Sequence, residues 1–511
     1  MSRIYVDGEH LTLAELFAVA LQGSETGLAI PARAKMLASR AVVERLVESN
    51  ATVYGVNTGF GKMASARISR EQIQQLQLNL VRSHACGMGV PLTEHETRAM
   101  LLLRANAIAK GFSGVRPVIA ETLCAMLNRG VHPMIPCQGS VGASGDLAPL
   151  AHLAQVAIGE GVAIYKGRML PGSEAMRQAG IAPLALEAKE GLALLNGTQG
   201  MLALLALSLG EAEVAVDTAD VAAALSLDAL RGSPAAFDER IAMVRPYAGH
   251  AVTATHITHL NRGSGIRESH RSPEKDPRVQ DPYSLRCVPQ VHGAVRDALM
   301  QVRATIEVEL NSATDNPLVF AASGPAAGAG EIVSGGNFHG QPLAIASDHM
   351  ALALATLAGI SERRIEQMTN PQTSQLPAFL VRDAGLNSGF MILQIAAAAV
   401  ASEMKAQAAP HSVDSIPTSA NQEDYVSMGM AGARRLAPML ANLRNILAIE
   451  LLCACQGLDF LAPLRTGAEA HKAYEIVRSV SKMLEVDRSL TTDIGAIGEV
   501  IASGKFSALV R

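Results

Sequence analysis

The stretch from Gly200 to Leu230, GMLALLALSLGEAEVAVDTADVAAALSLDAL, decides the fold class. Its apolar residues recur at helical spacing with almost no breaker, which predicts one long helix. Leu436, Leu440, Leu443, Leu447 and Leu451 keep one face of a second long helix apolar, with Pro438 marking a bend or an early turn in it. Two more helices are expected from about Val288 to Ser312 and from about Gln341 to Gly359. Rods of this length bury their apolar faces against one another, so the chain reads as a mainly α bundle of long helices. Strand signals are confined to the N-terminal part: the first residues alternate up to Asp7-Gly8, and Gly161 to Leu170 reads as a hairpin turning at Lys166-Gly167.

Composition narrows what such a bundle can do. Hydrophobic residues make up 49% of the 511 positions, yet aromatics are 3% and Trp is absent, so the core is built from small aliphatic side chains and Met. Ala-rich rods of this kind often leave apolar faces to bury in an oligomer, and a homo-oligomer is expected. A net charge of −4 is small for the length and argues against nucleic acid or a membrane surface as partner; a small-molecule substrate fits better. The six cysteines show no paired metal-ligand spacing and read as free thiols of a reducing cytosol. The first residues lack the apolar run of a signal peptide, and no uncharged apolar stretch comfortably spans a bilayer. Leu386 to Ala401 comes closest and reads as a buried helix, so a soluble, cytoplasmic protein is expected.

No repeat or low-complexity linker forces a domain cut. A boundary near residue 200 separates an N-terminal part, 1–200, from a long-helix core and C-terminal part, 201–511. Within the latter, Asn261 to Arg286 carries a dense run of charges with hardly an aliphatic residue and reads as a long exposed loop. Its end, Val279 to Arg286, combines a fixed turn, the Tyr283 phenol and the Arg286 guanidinium, which suits a lid over a ligand as well as it suits a solvated connector.

One short motif has the residue types for reactive chemistry, although taken alone it reads as an ordinary small-residue turn and only the rest of the chain reverses that preference. Ala143-Ser144-Gly145 lies within Pro136 to Leu150, PCQGSVGASGDLAPL. If Gly145 N is pushed onto the Ala143 carbonyl carbon, a five-membered ring closes; loss of that oxygen and of the Ser144 hydroxyl as two waters leaves an exposed methylene, an electrophile. Gly145 has no Cβ to hold its nitrogen off the carbonyl, and Gly142 gives the turn the same freedom. Pro136 and Pro149 limit how far the flanking chain relaxes. The other two Ala-Ser-Gly copies are ordinary turns by context: Ala322-Ser323-Gly324 is followed by Pro325, and Ala502-Ser503-Gly504 lies near the C-terminus.

Further polar motifs interrupt the apolar helices: Tyr54 to Gly61, Ser83 to Gly89, Asn196 to Gly200, Gly335 to Gly340, and Thr418 to Met428 with its Glu423-Asp424 pair. Each alone could be a loop or a cap; together they are too many for a scaffold. In this order, and with the extended motif around residues 142–150, they resemble the aromatic amino acid ammonia-lyase family, whose members form a methylidene-imidazolone prosthetic group from an internal Ala-Ser-Gly. The resemblance runs from about Leu11 to the last helices. It implies the ammonia-lyase type of long-helix bundle, assembled as a tetramer with active sites built from several subunits. It also implies an autocatalytic prosthetic group from Ala143-Ser144-Gly145, with no external cofactor and no metal.

Members acting on histidine resemble this chain in carrying Ser-His where Ser83-His84 stand and a glutamate where Glu423 stands. The reaction so implied is elimination of ammonia from L-histidine to give urocanate, in histidine catabolism. A carboxylate facing a phenyl ring would be buried without compensation, whereas an imidazole gives it a partner. The chain departs from those members at Tyr425, where they usually carry His. The resemblance further implies Tyr54 as base and Arg286, helped by Tyr283, as the clamp on the substrate carboxylate. Asn196 and Gln280 would hydrogen-bond the prosthetic ring or the substrate, Phe338 would pack nearby, and Ser83, His84 and Glu423 would face the imidazole.

Three other readings are open to a chain of this kind. A tyrosine or phenylalanine ammonia-lyase, or an aminomutase, would share the prosthetic group. A fumarase or aspartase type would need a Gly-Ser-Ser-x-x-Met-Pro loop, which is missing. A zinc hydrolase on His256 and His259 would need a carboxylate base in a matching motif, and none stands there.

Overall fold

Long helices dominate the computed structural model, which describes residues 3–49, 68–272, 274–276, 278–322 and 330–511. The Gly200 to Leu230 stretch forms a single helix, Gln199–Ala229. The other long helices are Val288–Leu310, Gln341–Thr369 and Leu436–Phe460. The mainly α class is as expected. The helix from Gln341 runs past Gly359, because a lone glycine in a strongly periodic helix costs only about 1 kcal/mol relative to alanine. Pro438 falls in the first turn of Leu436–Phe460, where its missing N–H has no helical partner to lose.

Two sequence expectations are corrected. The helix expected from Leu386 begins at Met391 and ends at Gln407, and it is not a buried helix: only Ala397 and Met404 are buried within it, while Ile392 is 63% exposed. Leu386 precedes it in a turn closed by Asn387 N donating to Asp383 O at 3.1 Å. Conversely, three stretches with scattered charges, Gln199–Ala229, Gln341–Thr369 and Gly429–Phe460, are long and apolar enough to cross a membrane by length and composition. In each, two-thirds or more of the apolar window is buried within the protein (72%, 67% and 67%), so packed side chains already cover most of that surface.

The chain divides into two compact units, each drawn from three segments. The first unit comprises Met1–Leu207, Arg303–Asp348 and Pro410–Arg434. It opens with the short strand Ile4–Val6, paired in parallel with Thr26–Leu28. The predicted hairpin forms from Val162–Tyr165 and Arg168–Pro171, and Val131–Pro133 adds a third antiparallel strand. Both hairpin turn residues, Lys166 (φ 49°) and Gly167 (φ 72°), are left-handed, as a type I′ turn requires.

At the centre of this unit lies the helix Glu94–Ala109, started by a Thr93/Glu96 capping box and buried on nearly every face from Thr97 onward. Burying Arg104 in it demands partners. The guanidinium donates to Asn196 O at 3.0 Å, to Gln199 Oε1 at 2.7 Å and to Ala193 O, and burial lowers its pKa to about 10. The core helix is thereby tied to the Asn196–Gln199 turn.

The second unit comprises Ser208–Val302, His349–Ala409 and Arg435–Arg511. Its interior holds a bidentate Arg364–Glu450 pair and an Asp220 carboxylate that meets His292 Nδ1 at 2.7 Å, His256 Nδ1 at 2.8 Å and Arg296 Nη2 at 2.5 Å. His256 is thus engaged by a structural carboxylate. The Asn261 to Arg286 segment also differs from a plain exposed loop. It contains two short helices, Gly265–Ser269 and Tyr283–Arg286, and it buries Ile266, His270 and Asp281. Its charges pair locally, Arg278 with Asp276 at 2.8 Å and Arg271 with Glu268 at 3.2 Å, while Asp281 accepts from Ser233 N at 2.6 Å.

Candidate active site

Ala143-Ser144-Gly145 stands at the wall of a cavity of about 960 Å³ in the first unit. The loop that carries it is held in a tight path. Gly142 and Gly145 are both left-handed (φ 70° and 71°). A Cβ on Gly145 would lie 2.1 Å from Gly197 O, and one on Gly142 would lie 2.2 Å from Ser427 Oγ, so neither position admits a side chain. Gly142 O accepts from Ser427 Oγ and from Gly340 N, each at 3.1 Å, and Val141 O accepts from Met428 N at 2.9 Å. On the other side of the tripeptide, Asp146 N donates to Gly197 O at 2.7 Å, and Asn196 Nδ2 donates to Ser144 O at 2.9 Å. Ser144 is half-buried between buried Ala143 and Gly145.

Asp146 follows at once and is fully buried, its oxygens accepting from Ser140 Oγ and Met201 N, each at 2.8 Å. Burial raises its pKa to about 6 against the lowering effect of those bonds. Among the described residues, Asn196 Oδ1 is buried with no hydrogen-bond partner. The glycine cradle, the pinned carbonyls on either side and this vacant acceptor fit a compact ring formed from the tripeptide.

The cavity collects side chains from distant segments. His84 ends the helix Ile73–His84, and its Nδ1 lies 2.8 Å from Leu80 O. A carbonyl only accepts, so Nδ1 carries the proton in this bond and Nε2 is the acceptor nitrogen. Burial lowers the His84 pKa, opposed by the Leu80 carbonyl and the Glu423 charge. Ser83, Phe338 and Asn196 line the same cavity. Glu423 enters from a loop in which Ser419, Ala420 and Asn421 are all left-handed (φ 51°, 53° and 64°), a conformation costing roughly 1–2 kcal/mol per non-glycine residue. Its Oε1 accepts from Ser144 Oγ at 2.7 Å and its Oε2 from Thr418 Oγ1 at 2.6 Å. Tyr425 lines the cavity beside His339, their rings stacked at 6.1 Å.

The aromatic amino acid lyase family matches residues 11–479. The chain belongs to that family. Among aromatic amino acid lyases it is 52% identical to a histidine ammonia-lyase of Koribacter versatilis, over the whole of both chains. The solved histidine ammonia-lyase of Trypanosoma cruzi superposes with a TM-score of 0.91 at 42% identity, covering 100% of this chain and 95% of that one. The tyrosine aminomutase of Streptomyces globisporus superposes with a TM-score of 0.94 at 39% identity, covering 100% of this chain and 98% of that one. Backbone likeness is therefore shared across lyases and aminomutases of the family.

Of the residues singled out in the sequence, Ser83, His84, Ala143, Ser144, Asn196, Phe338 and Glu423 line the one cavity, with Gly145 directly behind Ser144. Gln280, Tyr283 and Arg286 belong to the second unit and adjoin one another there: Arg286 donates to Gln280 Oε1, and its guanidinium lies 6.0 Å from the Tyr283 ring centre. Tyr54 lies outside the described residues. Sequence reading missed the lining residues Leu192, Leu195, Asn79 and Asn316, and it quoted Thr418 only as the first residue of a polar run. The two leucines form an apolar run directly before Asn196, a usable signal. Asn79 in a helix and Asn316 in a turn carry no such mark.

Proposed function

We propose that the chain eliminates ammonia from L-histidine to give urocanate, and that it does so with a methylidene-imidazolone formed autocatalytically from Ala143-Ser144-Gly145. The carrying observation is that Ser144, Glu423 and His84 line a single cavity. When formed, the group supplies an electrophilic methylene that draws electron density from the substrate. Gly142 and Gly145 admit the ring, and Asn196 and Gly197 hold its flanks. Departure of the Ser144 hydroxyl releases Glu423 Oε1, which then accepts an N–H of the substrate imidazole. His84, with Ser83 beside it, faces the same ring, and Phe338 packs against the substrate.

Arg286 with Tyr283 binds the substrate carboxylate, Gln280 hydrogen-bonds the substrate or the ring, and Tyr54 removes the β-proton as a phenolate. The protein works in the cytoplasm as a homotetramer whose active sites are assembled from several subunits, within histidine catabolism. Tyr425, and the fold shared with tyrosine aminomutases, favour one competing reading: a tyrosine or phenylalanine lyase, or an aminomutase, on the same scaffold.

An assay of L-histidine, L-tyrosine and L-phenylalanine side by side, following ammonia and the conjugated acrylate, tests the choice. Urocanate from histidine alone supports the proposal. Acrylate, or a β-amino acid, from the other substrates alone overturns the histidine reading and keeps the electrophile. Intact mass two waters below the encoded chain tests the prosthetic group directly.

A further inference from the structure

Glu423 has two carboxylate oxygens, and only one of them meets a residue lining the cavity. Oε1 accepts from Ser144 Oγ at 2.7 Å; Oε2 is taken by the Thr418 hydroxyl at 2.6 Å, a short bond to an acceptor that is strongest when ionised. Thr418 and Glu423 are also directly paired through the backbone. Thr418 N donates to Glu423 O at 2.9 Å and Glu423 N to Thr418 O at 3.3 Å, and Gln422 N donates to Ser419 O at 3.1 Å within the turn they close. In an antiparallel pair that exchanges both backbone bonds, the two side chains project to the same face of the ribbon. The hydroxyl is therefore delivered to the carboxylate by the pairing itself, across three consecutive left-handed residues. A free carboxylate turns about its terminal torsion and presents either oxygen, because that torsion is broad and two-fold.

We infer that Thr418 is a positioning residue for substrate recognition: by occupying Oε2 it fixes the plane of the Glu423 carboxylate, so that Oε1 alone is presented to the imidazole. The inference rests on the reading of Glu423 as the partner of the substrate ring. Thr418 touches no reacting atom and acts only through Glu423.

The test uses full-length protein carrying Thr418→Val, which keeps the shape of the side chain and removes its donor, and Thr418→Ser, which keeps the donor. Expected is a rise of about tenfold in KM for L-histidine in T418V with a smaller change in kcat, recovery of most of that loss in T418S, and thermal midpoints close to wild type in both. The double variant T418V/E423Q is expected to lose no more than E423Q alone, since one residue works through the other. Wild-type KM in T418V, or losses that add fully in the double variant, overturn the inference. So does a lowered thermal midpoint in T418V with kcat and KM falling together, which marks a merely structural loop contact. If E423Q itself turns over histidine at the wild-type rate, the underlying reading of Glu423 fails; if E423Q is impaired and T418V is not, the positioning role alone fails.

Discussion

Gly145 and Ser144 are constrained in opposite ways. Gly145 is left-handed and faces Gly197 O with no room for a Cβ, whereas Ser144 sits half-buried with its hydroxyl on a carboxylate and is sterically replaceable. Ser144→Ala should therefore leave far-ultraviolet circular dichroism unchanged while abolishing ammonia release; wild-type turnover in that variant would remove the electrophile from the mechanism. Asp146, one residue further, carries a pH signature. Its folded pKa of about 6 lies above the ordinary aspartate value of 3.8, so the folded state holds this proton more tightly than the unfolded state. That contribution to stability is present at low pH and is lost as pH rises through about 4 to 6. Asp146→Asn keeps the shape and removes the titration. Its urea midpoint relative to wild type is expected to improve between pH 4 and pH 7, and a constant difference across that range would contradict the buried titration. The Ala143-Ser144-Gly145 tripeptide and its glycine requirement are legible from residue types, because the proposed ring closure is local chemistry. The Asp146 shift is not, since it depends on which backbone donors fold around it.

Among the elements, the central helix Glu94–Ala109 does most to place the first unit's site. Its Arg104 reaches three acceptors in the segment from Ala193 to Gln199, which includes the carbonyl of Asn196. Arg104→Met fills the volume but strands those acceptors in the core. A loss of about 3 kcal/mol in denaturant unfolding is expected, together with a fall in kcat as Asn196 loosens from Ser144 O. Unchanged stability would mean that water replaces the guanidinium. Helix existence followed the apolar period closely in the long rods and failed at their ends. Gly359 did not stop a helix, because neighbours bury the flanking turns. Leu386 did not start one, because the chain there turns back on Asp383. The charged segment from Asn261 to Arg286 looked like an open loop because its few aliphatic residues hide the short helices that anchor it. Burial of Ile266 and pairing of Arg278 with Asp276 are long-range or conformational facts that composition does not carry.

At the scale of the molecule, the second unit leaves large apolar side chains uncovered: Val244 at 85%, Met243 at 73% and Ile392 at 63% exposed, with Met300, Leu352 and Ile395 about half exposed. Such surface is costly to leave in water and fits burial against further copies of the chain. Light scattering is expected to give a mass four times that of the 53.5 kDa chain; a monomer at micromolar concentration would refute the proposed tetramer.

The sequence by itself determined the helical class, through apolar periodicity that repeats within each rod, and it spelled out Ala143-Ser144-Gly145, whose neighbouring residues supply the atoms for the proposed ring closure. Only the tertiary structure decided which side chains share the cavity. Ser144 and Glu423 stand 279 positions apart, and each unit is stitched from three separate segments. Their meeting depends on how packed helices and loops converge, a long-range outcome that no local pattern encodes. The same holds for the Thr418 hydroxyl on Glu423: the residue is visible in the chain, but the antiparallel pairing that aims it exists only once the loop has folded.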